Sequence, residues 1–228
     1  MTPQSQLKLH TVAPVKDSGH PQARVIAISS GKGGVGKSSI ALNLAVELSR
    51  YSRKVCVFDA DTNLANINIM TGLNPAFTLH DLLRGKQLQD ILLNGPGGIK
   101  IIPAASGIID FVRFEQQQQD DMIALIKRLE SMFDFILIDT AAGINETVLS
   151  FLSAAPETII TITTEPTSLT DAFSLLKVLK QQGFNQQLQL IVNKSPSFQA
   201  AKEVVHRFSA AVKKYLGLRF VAAGYVLE

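Results

Sequence analysis

Residues 31–38 read Gly-Lys-Gly-Gly-Val-Gly-Lys-Ser and fit the pattern G-x-x-x-x-G-K-[ST], in which backbone and side chains hold phosphate groups. An apolar run at residues 24–29 precedes this stretch. A segment with apolar residues at helical spacing, residues 37–50, follows it. Strand, glycine loop and helix in this order are the context that the pattern requires. We therefore predict a phosphate-binding loop.

The residues of this loop have separate expected tasks. Glycines let backbone N–H groups curl around phosphate oxygens, and the following helix directs its positive end at them. Lys37 is expected to reach the β- and γ-phosphates, the Ser38 hydroxyl to bind Mg²⁺, and Ser39 to contact the α-phosphate. The predicted nucleotide ligands in the loop are Gly33, Gly34, Val35, Gly36, Lys37, Ser38 and Ser39.

Carboxylates follow two buried strands further along the chain. Residues 55–61 end in Asp59 and Asp61, and residues 135–139 read Phe-Ile-Leu-Ile-Asp. Ligands of open α/β sheets bind where the strands end, so these carboxylates are expected beside the loop. Asp139 is predicted to hold Mg²⁺ through water, and Gly143 to let the next loop sense a γ-phosphate. The alternative for Asp59 and Asp61 is a pair of strand-end caps.

The rest of the chain alternates apolar strands with helices. We predict further strands at 54–58, 99–102, 133–138, 158–163, 188–192 and from 219, and helices or helical turns at 64–70, 78–83, 115–131, 145–154, 168–182 and 199–216. Most strands are continuous apolar runs, which is typical of a mainly parallel sheet with helices on both faces. The predicted fold is a single-domain α/β P-loop NTPase at residues 23–228, after a flexible arm at residues 1–22.

Composition excludes several classes of protein. The chain has 228 residues, of which 46% are hydrophobic and 18% charged, so it can bury a large core. A single cysteine, Cys56, excludes a disulfide framework and a Cys-x-x-Cys zinc site. No secretory signal or transmembrane run is present, and the expected compartment is the cytoplasm. The net charge of +3 permits an anionic partner without demonstrating one.

The loop contains a second lysine, Lys32, and this deviant Walker A pattern resembles the MinD/ParA class of P-loop ATPases. In that class the extra lysine crosses a dimer interface to the nucleotide of the partner. The resemblance therefore implies a MinD-like fold, an ATP-dependent homodimer and slow, Mg²⁺-dependent hydrolysis of ATP to ADP. It implies catalytic roles for Lys32, Lys37 and Asp61, with Asp61 orienting or deprotonating the attacking water. The metal ligands that residues and resemblance suggest together are Ser38, Asp59, Asp61 and Asp139.

A late strand ends in Asn193, and the resemblance puts this residue at the edge of the adenine, where an amide can both donate and accept. The alternative for a strand-end asparagine is a simple turn residue.

Longer stretches resemble one branch of the class, the FlhG/FleN regulators of flagellar number. They are residues 59–68, 95–107, 138–144 and 165–173. The resemblance implies a cytoplasmic switch, located peripherally at the inner membrane or at the cell pole. Such a switch restrains an NtrC-like flagellar transcription activator and works with the SRP-like GTPase FlhF. Membrane contact in this family comes from a C-terminal amphipathic helix. We find no such helix in residues 1–228, so we expect membrane binding only if one follows, and no specific DNA binding.

Some residues depart from the pattern of this branch. Thr62-Asn63-Leu64 stands where Leu-Gly-Leu is usual, Asn68 where an aspartate is common, and Leu227 where a proline packs on adenine. Because the first departures lie in the switch, a nucleotide-binding adaptor with little hydrolysis stays open. A ParA-like ATPase that positions DNA or cargo is a further alternative.

Overall fold

A computed structural model describes residues 23–61, 67–104 and 124–228. The predicted arm at residues 1–22, the departures at 62–64 and the beginning of the helix predicted at 115–131 lie outside the described residues.

One eight-stranded sheet runs through the described part of the chain. Its spatial order is β3-β4-β2-β5-β1-β6-β7-β8. Only β3 and β4 pair antiparallel among the described strands, and the other pairings are parallel. The strands are β1 Arg24–Ser29, β2 Val55–Ala60, β3 Leu93–Asn94, β4 Lys100–Ile102, β5 Phe135–Thr140, β6 Glu157–Ile162, β7 Gln187–Ser195 and β8 Val221–Leu227. The predicted α/β fold with a mainly parallel sheet is confirmed.

Helices cover both faces of this sheet. Alternate residues of β1 show the two layers, because Val25 and Ala27 lie in one hydrophobic core and Ile26 and Ile28 in the other. The second core packs against α1 and α2, and the first against α3 to α8. The helices are α1 Lys37–Arg50, α2 Ile67–Thr71, α3 Leu79–Leu83, α4 Leu88–Ile91, α5 at residues 124–130, α6 Glu146–Ala154, α7 Pro166–Gln181 and α8 Phe198–Leu216.

The structure changes some predicted boundaries. Strand β7 continues to Ser195, three residues beyond its predicted end, and α7 begins at Pro166 because proline suits the first position of a helix. Helix α4 and strand β3 were not predicted, since elements of four and two residues contain too little pattern.

Helix α8 packs on the sheet, as predicted for residues 199–216. Phe208 and Val212 are buried in the core, the Ser197 side chain accepts a hydrogen bond from the Ala200 N–H, and the helix ends at Gly217. Tyr215 continues the apolar spacing of this helix in the sequence, but 67% of the residue is exposed. Among the described residues, no helix has the length and apolar character needed to cross a bilayer.

Candidate functional site

The glycine loop joins β1 to α1, and two of its glycines are required by their surroundings. Gly36 caps α1 with a φ of 92°, a backbone conformation that side chains with a Cβ rarely adopt. At Gly31 a Cβ would lie 2.1 Å from the backbone carbonyl carbon of Asp171 in α7. Any larger residue at position 31 would therefore push the loop away from α7.

Lys37 is the first residue of α1, and it is buried rather than solvated. Burial lowers the pKa of its ammonium group, whereas the negative charges of Asp139 and Asp61 raise it. These charges act on Lys37 only because the carboxyl ends of β2 and β5 lie beside the loop, as the sequence predicts. The site therefore combines one buried cation with several carboxylates.

Asp59 and Asp139 are paired in register on the neighbouring strands β2 and β5, and each is 1% exposed. Burial, followed by the charge of Asp139, raises the pKa of Asp59 to about 7. Burial raises the pKa of Asp139 to about 6, although the nearby Ser38 hydroxyl and Lys37 ammonium counter part of the rise. Within the described residues, neither carboxylate oxygen of Asp139 has a hydrogen-bond partner of normal geometry.

The Asp59 carboxylate binds backbone N–H groups just after β2 and at the beginning of α2. One of its oxygens accepts a hydrogen bond from the Asp61 N–H at 3.1 Å, and the other accepts from the Ile67 N–H at 3.4 Å. These contacts are those of a strand-end cap, the alternative considered for this residue. Its predicted contribution to a Mg²⁺ shell stays a prediction, as does the role of Asp61 towards water.

The end of β7 supports the loop from another side. The Asn193 side-chain amide donates to the carbonyl oxygen of Val35 at 2.7 Å, and the Lys194 ammonium donates to that of Gly34 at 2.9 Å. A Cβ on Gly36 would lie 2.3 Å from the same amide nitrogen. Sequence reasoning missed this support, because residues about 160 positions apart form it. The predicted contact of Asn193 with adenine stays a prediction.

Lys32 binds within its own chain. Its ammonium nitrogen lies 2.8 Å from a carboxylate oxygen of Glu165 and 2.9 Å from the Thr167 hydroxyl, at the N-terminal end of α7. The hydrogen bond and the positive charge of Lys32 lower the pKa of Glu165. The sequence did not predict this pairing, although the stretch 165–173 was one of those that resemble the flagellar branch.

The loop after β5 is attached to the phosphate loop. The Gly143 N–H donates to the Ser30 carbonyl oxygen at 3.0 Å. The loop that is predicted to sense a γ-phosphate is thus in direct contact with the segment that is predicted to bind it.

Comparison with known proteins assigns the chain to a family. The model of the AAA domain family matches residues 23–190. The antiactivator FleN of Pseudomonas aeruginosa is 37% identical over 91% of this chain and 74% of its own length. The flagellum site-determining protein YlxH of Helicobacter pylori is 36% identical over 75% of this chain and 58% of its own length.

A solved structure has the same fold. It is the septum site-determining protein MinD of Pyrococcus horikoshii in complex with Mg-ADP, which matches with a TM-score of 0.67 and 31% identity over 80% of this chain and 77% of its own. The chain therefore belongs to the MinD/ParA class of P-loop ATPases, and its similarity to FleN and YlxH confirms the flagellar branch that the sequence indicates.

Proposed function

We propose that this chain is an ATP-dependent, dimerising switch that slowly hydrolyses ATP and regulates the number or placement of flagella. The observation that carries the proposal is the buried Asp139, whose carboxylate lacks a hydrogen-bond partner of normal geometry among the described residues and faces Lys37 and Ser38 at the phosphate loop. Membership of the MinD/ParA class supports ATPase activity in general, and the similarity to FleN supports a role in controlling flagella.

The residues present fit a magnesium nucleotide. Mg²⁺ is usually bound by one or two carboxylates together with phosphate oxygens and waters, rather than by a cage of protein ligands. Accordingly, the described residues contain no group of three or more His, Cys, Asp or Glu side chains that could hold a metal by themselves. Ser38 and Asp139 would hold the ion, with Asp59 and Asp61 near it. When bound, Mg²⁺ would neutralise charge on the β- and γ-phosphates.

The side chains of this site would then share the work of hydrolysis. Lys37 would neutralise phosphate charge, and its burial would strengthen this attraction. Asp61, at the end of β2, would orient or deprotonate the attacking water. The Gly143 N–H would give up the Ser30 carbonyl oxygen when the loop responds to a γ-phosphate.

Dimerisation would require a change at Lys32. In the single chain its ammonium group is bound to Glu165 and Thr167, so it must leave them before it can reach the nucleotide of a second copy. The Lys32 and Glu165 side chains are 39% and 62% exposed. Solvent screens the charges of an exposed ion pair, so the loss of this contact opposes dimerisation only weakly. Binding of ATP and of a second copy can therefore overcome it.

The proposed partners follow from the resemblance and from the name of one relative. FleN is described as an antiactivator, which supports restraint of a transcription activator, of the NtrC-like type, by this chain. The SRP-like GTPase FlhF is a second proposed partner. The proposed location is the cytoplasm, with contact at the inner membrane or cell pole only if the full protein has a C-terminal membrane-binding helix beyond residues 1–228.

Replacing Lys37 tests the nucleotide site. Lys37→Met should lower the affinity for Mg-ATP by at least about a hundredfold, because it removes a buried cation from the β- and γ-phosphates. Lys180→Met, at an exposed position of α7, is the matched control and should bind like the wild type. Titration calorimetry measures both, with circular dichroism to check folding. Undiminished affinity in Lys37→Met would refute the site.

The buried carboxylates make stability depend on pH in the protein without nucleotide and Mg²⁺. The pKa of Asp139 in the folded chain, about 6, lies above its ordinary value of 3.8, so its ionisation costs folding free energy as the pH rises from about 4 through 6. At pH 8 in EDTA, Asp139→Asn should therefore be more stable than the wild type by about 1–3 kcal/mol. Urea unfolding at pH 5 and pH 8 measures this. Asp90→Asn, on the exposed side of α4, is the control and should leave the pH dependence of stability unchanged. If Asp139→Asn and the wild type showed the same pH dependence of stability, the prediction would be contradicted, because the buried charge of Asp139 would then be compensated.

Asp61→Ala should stop hydrolysis and keep the ATP-bound dimer intact. Light scattering should show a dimer with ATP and a monomer with ADP, because the proposed contact surface needs the γ-phosphate. In the Asp61→Ala protein, the additional change Glu165→Gln should lower the protein concentration at which half of the protein is dimeric by about two- to fivefold. The reason is that Lys32 then separates from a neutral amide instead of a carboxylate. A monomer in the ATP-loaded Asp61→Ala protein would refute the switch.

The regulatory proposal is tested in cells of the source organism. ATP-loaded Asp61→Ala protein should retain an NtrC-like flagellar activator, and Lys37→Met should not, because only the former can form the proposed ATP dimer. Loss of the chain should change the number of flagella per cell, and the wild-type gene but not Lys37→Met should restore it. Normal flagellation in the deletion strain would refute the regulatory role while leaving the nucleotide site untouched.

A further inference from the structure

Lys194 has an unusual backbone conformation at the end of β7. Its φ is 51°, and among the described residues Ser52 is the other non-glycine residue with a positive φ. The pairing of β7 with β8 explains why the positive φ occurs at this residue. Val192 pairs with Tyr225 and Ser195 with Leu227, so β7 takes three steps where β8 takes two. One extra residue is therefore inserted in β7, which is a β-bulge.

The bulge changes the direction of a side chain. In a regular strand, neighbouring side chains point to opposite faces of the sheet. Here the consecutive residues Asn193 and Lys194 both reach the phosphate loop, where they bind the consecutive carbonyl oxygens of Val35 and Gly34. A positive φ is an unfavourable conformation for lysine, and glycine or asparagine would adopt it more readily. Lys194 therefore adopts an unfavourable conformation and makes a contact with the Gly34 carbonyl oxygen that needs a long cationic side chain.

The two contacts fix the direction of two N–H groups. The C=O and N–H of a planar trans peptide point in opposite directions. The Gly34 carbonyl shares its peptide unit with the Val35 N–H, and the Val35 carbonyl shares its unit with the Gly36 N–H. By holding these oxygens, Lys194 and Asn193 direct both N–H groups away from β7. Outward carbonyls and inward N–H groups are the arrangement by which a glycine loop binds phosphate.

We propose that Lys194 is a positioning residue of the phosphate loop. Its ammonium holds the Gly34 carbonyl so that the Val35 N–H is oriented for a phosphate oxygen before nucleotide arrives. Asn193 does the same for the Gly36 N–H. The inference rests on the proposed nucleotide site. Lys194 acts through the loop and needs no contact with the nucleotide.

Three substitutions of Lys194 distinguish the positioning role from an effect of backbone strain and from an effect of positive charge alone. Lys194→Gly removes the ammonium and relieves the positive φ, Lys194→Met removes the ammonium and keeps the strain, and Lys194→Arg keeps a cation of similar reach. In the nucleotide-free protein, Lys194→Gly should unfold at an equal or higher temperature than the wild type. It should nevertheless bind Mg-ADP about five- to twentyfold more weakly. The affinity of Lys194→Met for Mg-ADP should fall by a similar factor, and that of Lys194→Arg should stay within about threefold of the wild-type affinity.

Salt and amide spectra complete the test. Salt screens any long-range attraction between the Lys194 charge and the phosphates of the nucleotide. If Lys194 acts by positioning the loop, the weaker binding of Mg-ADP in Lys194→Gly should therefore persist at 0.5 M KCl. In ¹⁵N spectra of the nucleotide-free protein, the Val35 and Gly36 amides should shift in Lys194→Gly, whereas Lys180→Met should leave them in place.

The outcomes distinguish the two proposals. Wild-type affinity in both Lys194→Gly and Lys194→Met, or a loss that disappears at 0.5 M KCl, would overturn the positioning role. Failure of the wild type to bind Mg-ATP or Mg-ADP would instead overturn the nucleotide site on which the inference rests.

Discussion

Two aspartates that lie side by side inside the protein determine the character of this site. Asp59 and Asp139 are paired on adjacent strands and are almost completely buried, and the buried ammonium of Lys37 is near them. Burial of two carboxylates is unfavourable unless a cation or hydrogen bonds compensate their charge. Asp59 has backbone N–H partners, whereas neither oxygen of Asp139 has a hydrogen-bond partner of normal geometry among the described residues. The fold therefore places two buried carboxylates beside a single buried ammonium group, at the edge of the sheet where we propose that a magnesium nucleotide binds.

Much of this arrangement could be predicted from the sequence, because it depends on local patterns. The loop pattern and the apolar runs ending in Asp59 and Asp139 locate the site, and parallel strands bring their carboxyl ends to one edge. Contacts between distant segments could not be predicted in the same way. Neither the Asn193 contact with Val35 nor the Lys32 contact with Glu165 has a local pattern, since each depends on how the strands are ordered in the sheet.

Short or irregular features were missed for related reasons. The bulge at Lys194 is one inserted residue, and it becomes visible only through pairing with β8. Tyr215 follows the apolar periodicity of α8 but lies in its last turn, where the ring contacts Phe173 of α7 and stays largely exposed. Periodicity predicts which side of a helix faces the sheet, and it does not predict how far the sheet extends beneath that helix.

The phosphate loop is held by three separate parts of the structure. Strand β7 holds its middle through Asn193 and Lys194, α7 holds its beginning through Gly31 and the Lys32 pair, and the loop after β5 is bonded to Ser30.

A change in the loop on binding a nucleotide must therefore alter contacts with all three parts, because interiors are too closely packed to deform freely. The pair between Lys32 and Glu165 is exposed, so solvent screens the attraction between its charges. In the dimer that we propose, this pair can therefore separate at little cost, and a second copy would supply a new partner for Lys32. Lys194 has the opposite requirement. In the role that we propose for it, its contact with the Gly34 carbonyl oxygen persists while nucleotide is bound. In the switch that we propose, the two exposed lysines at the edge of the loop therefore have opposite tasks: Lys32 is released from Glu165, and Lys194 keeps its contact with Gly34.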